Sequence, residues 1–252
     1  MATLIHPGAY VDPAAQLGQD VEIMPGAVVT KWVQLGDRCV VHPGAVIGGD
    51  PQYLAFDRHT PSWVRVGEGS VLREGVTLNR SIHADGATTV GARCFFMATS
   101  HAGHDCVVAD DVVLANAALL AGHVEVGSFA FIGGGAAVHQ FSRIGEVVMI
   151  AGGARITCDV PPFCMAAERD YLSGLNLVGI KRRNWPREAI KEVKECYRQL
   201  MKPTGNLRTA AAQMLDGAVS DQARAFLNFF AGGKRGFVRP GETRGGATET
   251  VS

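Results

Sequence analysis

The chain has 252 residues, enough to bury a full core. Its 24 Lys+Arg balance 24 Asp+Glu, and the formal net charge of +0 excludes a general binder of nucleic acid. With 47% hydrophobic and 19% charged residues it is not a disordered chain, and its 31 glycines stand well above the roughly 7% share of an average protein.

In chain order, the N-terminal Met1-Ala-Thr-Leu-Ile-His6 carries no basic segment followed by an apolar one, so no secretory signal is expected. No apolar run anywhere approaches the ~18 residues of a membrane span. A period of six begins at Ile5 and continues through Val11, Leu17, Ile23, Val29, Leu35, Val41 and Ile47. It breaks across 48–65, which reads as an inserted loop. It resumes one residue out of phase at Val66, Leu72 and Leu78, slackens near Ala84, and then runs from Val90 to Ile156 in one frame. Neither a helix nor a simple strand needs a strict six. A β-solenoid does: each hexapeptide gives a short strand and a turn, and three close an 18-residue coil. Residues 5–162 then make roughly eight to nine coils. Glycine often follows the inward aliphatic, as at Gly18, Gly36, Gly48, Gly67, Gly91, Gly127, Gly133 and Gly145, where turn dihedrals are the expected reason.

The six cysteines show no CxxC pair and no disulfide spacing, which fits free thiols in a reducing cytoplasm. Cys39, Cys94 and Cys106 each fall four places after an inward position, as small interior fillers. From Asn184 the period stops. Pro186 opens a helix with Ile190, Val193, Tyr197, Leu200 and Met201 on one face, and Gly205 after Pro203 ends it. A second short helix is expected around Leu207–Met214, and Ser220 caps a third. The expected organisation is a β-helix over 1–183, a small α-helical domain over 184–238 and a disordered tail over 239–252.

An 18-residue coil stacks His104, Gly122 and Gln140 in one column and Asp105 with His123 in another. A histidine outside a solenoid suits general-base work, a neighbouring carboxylate would orient it, and a glycine one coil above would leave a backbone N–H within reach of an oxyanion. The competing reading is that His101, His104, His123 and His139 are solvated surface residues. Solenoids that hold zinc use three histidines, two of them five residues apart; His101 and His104 are three apart, so no metal is expected.

Several segments resemble the UDP-N-acetylglucosamine acyltransferase family, whose members open lipid A synthesis. They are Asp50-Pro51-Gln52, His101-Ala-Gly-His104-Asp105-Cys106, Leu120-Ala-Gly-His123, Val138-His139-Gln140-Phe141, Asp159-Val-Pro-Pro162, Asn176 and Lys181-Arg182-Arg183. The related N-acyltransferase of that pathway carries an extra N-terminal domain, and repeats beginning at Ile5 leave no room for one. The resemblance implies a left-handed parallel β-helix and a homotrimer with sites between neighbouring prisms. By position it implies that His104 is the general base for a sugar 3-hydroxyl, that Asp105 supports it and that the Gly122 N–H binds the oxyanion. It places His123, Gln140, Asn176, Arg182 and Arg183 at the nucleotide sugar or its phosphates, Gln52, His101 and His139 among the substrate-binding residues, and Gly152 along the acyl chain. The acyl donor would be acyl carrier protein, with no further cofactor, and Lys234 and Arg235 suit an acidic partner.

The chain departs from the family pattern at Tyr53, Ala55, Val178 and the segment Ala167–Asp170, all at expected substrate contacts. An altered UDP-sugar or acyl donor is the expected consequence. Two competing classes remain: an acetyl-CoA-dependent hexapeptide acetyltransferase on a nucleotide amino sugar, and a non-catalytic trimer that binds such a sugar or the carrier protein.

Overall fold

One large aliphatic per hexapeptide supplies the interior of a triangular prism, and the backbone closes around that column. A computed structural model describes residues 2–201 and 205–241. Strands of mostly two residues stack in parallel on three faces, forming a left-handed β-helix. The first face runs from Leu4–Ile5 to Met149–Ile150 and Cys164–Ala167, and ends in one antiparallel strand, Tyr171–Leu175. The second runs from Tyr10–Val11 to Arg155–Ile156, and the third from Gln16–Leu17 to Arg143–Ile144.

Register explains both irregularities in the period. Leu114 pairs with Ile132 and Ile132 with Ile150, the regular step of 18. Across the first insertion Val41 pairs with Leu72 and Ile47 with Leu78, a step of 31, so thirteen extra residues shift the frame by one. Across the second, Leu72 pairs with Phe96 and Leu78 with Ala102, a step of 24. Six extra residues leave the frame intact, which is why the period only slackens near Ala84, an exposed residue. Both insertions leave the prism at the same corner, between the second and third faces.

The inward positions from Ile23 to Ile156 are buried, Ala84 excepted, and Cys39, Cys94 and Cys106 fill the interior with them. Burial pushes the Cys106 thiol up to about 12, so it is an inert filler. The inward residues of the first coil are less covered, with Val11 and Leu17 half-buried and Ile5 46% exposed, because among the described residues no coil packs beneath them.

Most glycines after the inward aliphatics are explained by something other than turn dihedrals; Gly48, at φ +83°, is the one that adopts the expected left-handed turn. A β-carbon on Gly67 would stand 2.5 Å from the Ala92 nitrogen, one on Gly127 2.5 Å from the Glu146 nitrogen, and one on Gly145 2.4 Å from the Pro162 nitrogen. Neighbouring coils approach too closely there for any side chain. The left-handed turn positions, by contrast, carry Asp111, Ala117 and Phe129 as well as glycine.

The C-terminal helices are α1 (Leu177–Arg182), α2 (Arg187–Leu200), α3 (Leu207–Leu215) and α4 (Asp221–Asn228). Helix begins seven residues before the expected boundary at 184, because the Asn176 side chain accepts from the Gly179 N–H and caps α1. Pro186 precedes α2, and Ser220 caps α4 by accepting from the Ala223 N–H, as expected. The buried face of α2 also includes Ala189 and Cys196. Arg143 ties this region to the prism: its Nε donates to the fully buried Asp159 at 2.9 Å, and another nitrogen donates to the Phe229 carbonyl. The chain stays ordered past the expected start of the tail, since the Arg239 carbonyl accepts from the Leu172 N–H. Residues 242–252 of the expected tail, and Pro203 at the expected end of α2, lie outside the described residues. No helix among the described residues is long and apolar enough to cross a membrane.

Candidate active site

The turn from His101–Ala102 to Val107–Val108 rounds the corner where both insertions emerge. Register puts Asp105, His123 and Phe141 in one column with φ of 59°, 59° and 64°. Most corners of the prism use a left-handed residue, so the backbone belongs to the fold while the side chains at this column make the site.

His104 Nδ1 meets Asp105 Oδ2 at 2.8 Å, with both side chains mostly shielded from solvent. The Ser81 hydroxyl donates to Asp105 Oδ1 and the Ile82 N–H to Oδ2 at 3.2 Å; both donors belong to the second insertion. Burial alone would raise the Asp105 pKa. The hydrogen bonds from Ser81, His104 and the Ile82 amide outweigh it and hold the carboxyl below its usual range. An ionised Asp105 takes the Nδ1 proton as its hydrogen-bond donor, which leaves His104 Nε2 with a lone pair.

Gly122 lies against that nitrogen. A β-carbon there would stand 2.6 Å from Nε2 and 2.5 Å from Cε1 of His104. The Gly122 N–H meets no acceptor among the described residues, while the adjacent Ala121 and His123 amides are bonded to the neighbouring coils. A base with an open lone pair and an unused donor therefore occupy adjacent residues of one corner, the minimum equipment for acyl transfer. His123 completes the wall, stacked on Phe141 at 4.6 Å and edge-on to His104 at 5.0 Å. Burial lowers the His123 pKa, and Asp105 opposes that shift.

A cleft of about 700 Å³ lies over the second face beside this corner, and His104, Asp105, Gly122 and His123 are not among its lining residues. Gln52, Thr77, His101, Leu119 and His139 line it, so three of the expected substrate residues share it. His101 Nδ1 bonds Thr77 Oγ1 at 2.7 Å, and burial holds this imidazole below its ordinary pKa. Gln140 is exposed beside His139 and does not line the cleft.

Known proteins similar to this chain are named for acyl transfer. Residues 159–238 match the model described as "Udp N-acetylglucosamine O-acyltransferase; Domain 2", and residues 14–49 match the bacterial transferase hexapeptide repeat. The acyl-[acyl-carrier-protein]–UDP-N-acetylglucosamine O-acyltransferase of Burkholderia orbicola is 40% identical over 262 residues, covering 94% of this chain and 100% of that one. The Campylobacter concisus enzyme of the same name is 37% identical over 90% of this chain and 87% of its own. The chain belongs to the UDP-N-acetylglucosamine O-acyltransferase family. Solved family structures superpose along its length: the Campylobacter jejuni acyltransferase with TM-score 0.82 and 34% identity, covering 93% of this chain and 99% of that one, and the Bacteroides fragilis one with 0.84 and 29%, covering 94% and 100%.

In this acyltransferase-family chain the remaining candidates lie elsewhere. Asn176, Arg182 and Arg183 border a groove of about 480 Å³ on the first face, the side of the prism opposite the His104 corner. Arg183 stacks on Phe129, its Cζ 3.7 Å from the ring centre. Asn176 is held at both ends, donating to the Val147 carbonyl at 2.8 Å and capping α1. Gly152 is exposed at the corner between the first and second faces. A single prism therefore does not bring Arg182 and Arg183 to His104. The departures from the family pattern are surface residues of these regions: Tyr53 and Ala55 follow Gln52 in the first insertion, and Val178 borders the first-face groove at 62% exposed. Sequence reading missed Ser81 and Ile82. Their only trace is the slackened period near Ala84.

Proposed function

We propose that the chain moves a fatty acyl group from acyl carrier protein to the 3-hydroxyl of UDP-N-acetylglucosamine or a closely related UDP-amino sugar, the first step of lipid A synthesis, in the cytoplasm. The observation that carries this is the His104–Asp105 pair with Gly122 packed against Nε2. His104 Nε2 takes the hydroxyl proton as the sugar oxygen attacks the thioester carbonyl. The Gly122 N–H receives the oxyanion of the tetrahedral intermediate. Collapse breaks the C–S bond, and the imidazolium returns its proton to the departing thiolate of the phosphopantetheine arm. Asp105 holds the tautomer and stabilises the imidazolium.

Arg182 and Arg183 supply planar forks suited to a diphosphate. Their place on the first face supports a homotrimer, in which one copy offers the His104 corner and its neighbour the arginines. The acyl group arrives on the carrier protein, so no further cofactor is needed. An acyl-transfer screen with UDP-sugars and donors of graded chain length tests the reading. Long-chain transfer from acyl carrier protein is expected, lost in His104→Ala; turnover of acetyl-CoA alone would replace it with the acetyltransferase reading.

A further inference from the structure

The second insertion brings one more group to the catalytic carboxylate. The His83 N–H donates to Ser81 Oγ at 2.9 Å, and this tight turn sets His83 beside the corner, with its ring centre 6.0 Å from that of His123. One ring nitrogen of His83, one of His123 and one carboxylate oxygen of Asp105 all lie within 4.8 Å of one another. The His123 Nε2 to Asp105 Oδ2 distance is 3.9 Å. Two imidazoles and a carboxylate suit zinc and neighbouring divalent transition ions, with a position left open for water. Around a tetrahedral ion with bonds of about 2.0 Å the donor atoms stand roughly 3.3 Å apart. Binding an ion would draw His123 Nε2 and Asp105 Oδ2 together by about 0.6 Å and turn the exposed His83 ring toward them.

We propose that His83, Asp105 and His123 form a binding site for a divalent transition ion such as Zn²⁺, and that occupancy switches the catalytic pair off. The ion takes Asp105 Oδ2, the oxygen that meets His104 Nδ1 at 2.8 Å. His104 then loses its orienting partner, and the ion stands at the mouth of the site. The effect on turnover rests on the acyl-transfer reading; the binding does not.

Chelator-treated full-length protein titrated with Co²⁺ tests it, because cobalt on two imidazoles and a carboxylate absorbs in the visible and gives a readout independent of turnover. One Co²⁺ per chain is expected, displaced by Zn²⁺. His83→Ala is expected to abolish the absorption, to keep metal-free acyl transfer, and to raise the Zn²⁺ concentration for half-inhibition on the order of tenfold or more. His59→Ala, which alters a histidine of the first insertion, is expected to change neither. A silent Co²⁺ titration of the wild type, or an unchanged one of His83→Ala, overturns the site. Full turnover with Zn²⁺ bound overturns the switch.

Discussion

Ser81 and Asp105 are 24 positions apart, and the serine hydroxyl donates to the carboxylate that orients His104. The His104–Asp105 pair is therefore held by a loop outside the regular coil. Arg80, 2% exposed, anchors that loop by donating to Asp50 and to the carbonyls of Arg58 and Thr60 in the first insertion. The two insertions form one support beneath the site.

Ser81→Ala removes a donor to a charged group and is expected to cost about 2 kcal/mol of stability at neutral pH. The folded-state pKa of Asp105 lies below its usual range, so its contribution is present above the ordinary carboxylate value and disappears as pH falls through the folded value. Denaturant unfolding across that range should show variant and wild type converging in acid. The acid limb of kcat/KM should move to higher pH in the variant, and Ser81→Thr should restore it.

Gly122→Ala places a methyl group where the His104 ring now lies. Acyl transfer is expected to fall about 100-fold, since a displacement of this order misaligns the reacting groups. The circular dichroism of the coil should be unchanged, because the clash is with a side chain and not with backbone.

The two reasons for glycine are separable by stability. Gly67→Ala drives a β-carbon into the backbone of the next coil and is expected to cost about 3 kcal/mol or more. Gly135→Ala meets nothing within 4 Å and carries only the left-handed backbone penalty at φ +65°, about 1 kcal/mol. Equal melting shifts for the two variants would contradict this assignment.

His101 and His123 both have pKa values lowered from 6.5, chiefly by burial. Their neutral forms are favoured in the fold, so the stability they contribute is present above the unfolded histidine value and is lost as pH falls through the folded one. Imidazole resonances in an NMR titration should show both midpoints below 6.5. A midpoint above it for either ring contradicts the burial argument.

Much of this was legible in the sequence because a six-residue period constrains every coil in the same way. The columns that join His104 to Gly122 and Asp105 to His123 followed from the step of 18, which holds without interruption from Val90 to Ile156. Beneath that point the step changes twice, and positions counted by eighteen no longer stack. This is why Ser81 was not placed beside Asp105. The glycine pattern was visible while its cause was not, because close approach between coils leaves the same residue as a strained dihedral. The cap that Asn176 provides to α1 was not legible for a related reason: a helix cap and a ligand contact both call for a short polar side chain.

The six extra residues between Asn79 and Ala87 have a further consequence. Their number equals one full repeat, so a chain lacking them would keep every inward aliphatic in phase and its corner glycines in place. What such a chain would lack is the cradle of Asp105 and the imidazole of His83. This segment is thus separable from the scaffold: replacing it would alter the setting of the Asp105 carboxylate while the coil that carries it keeps its register.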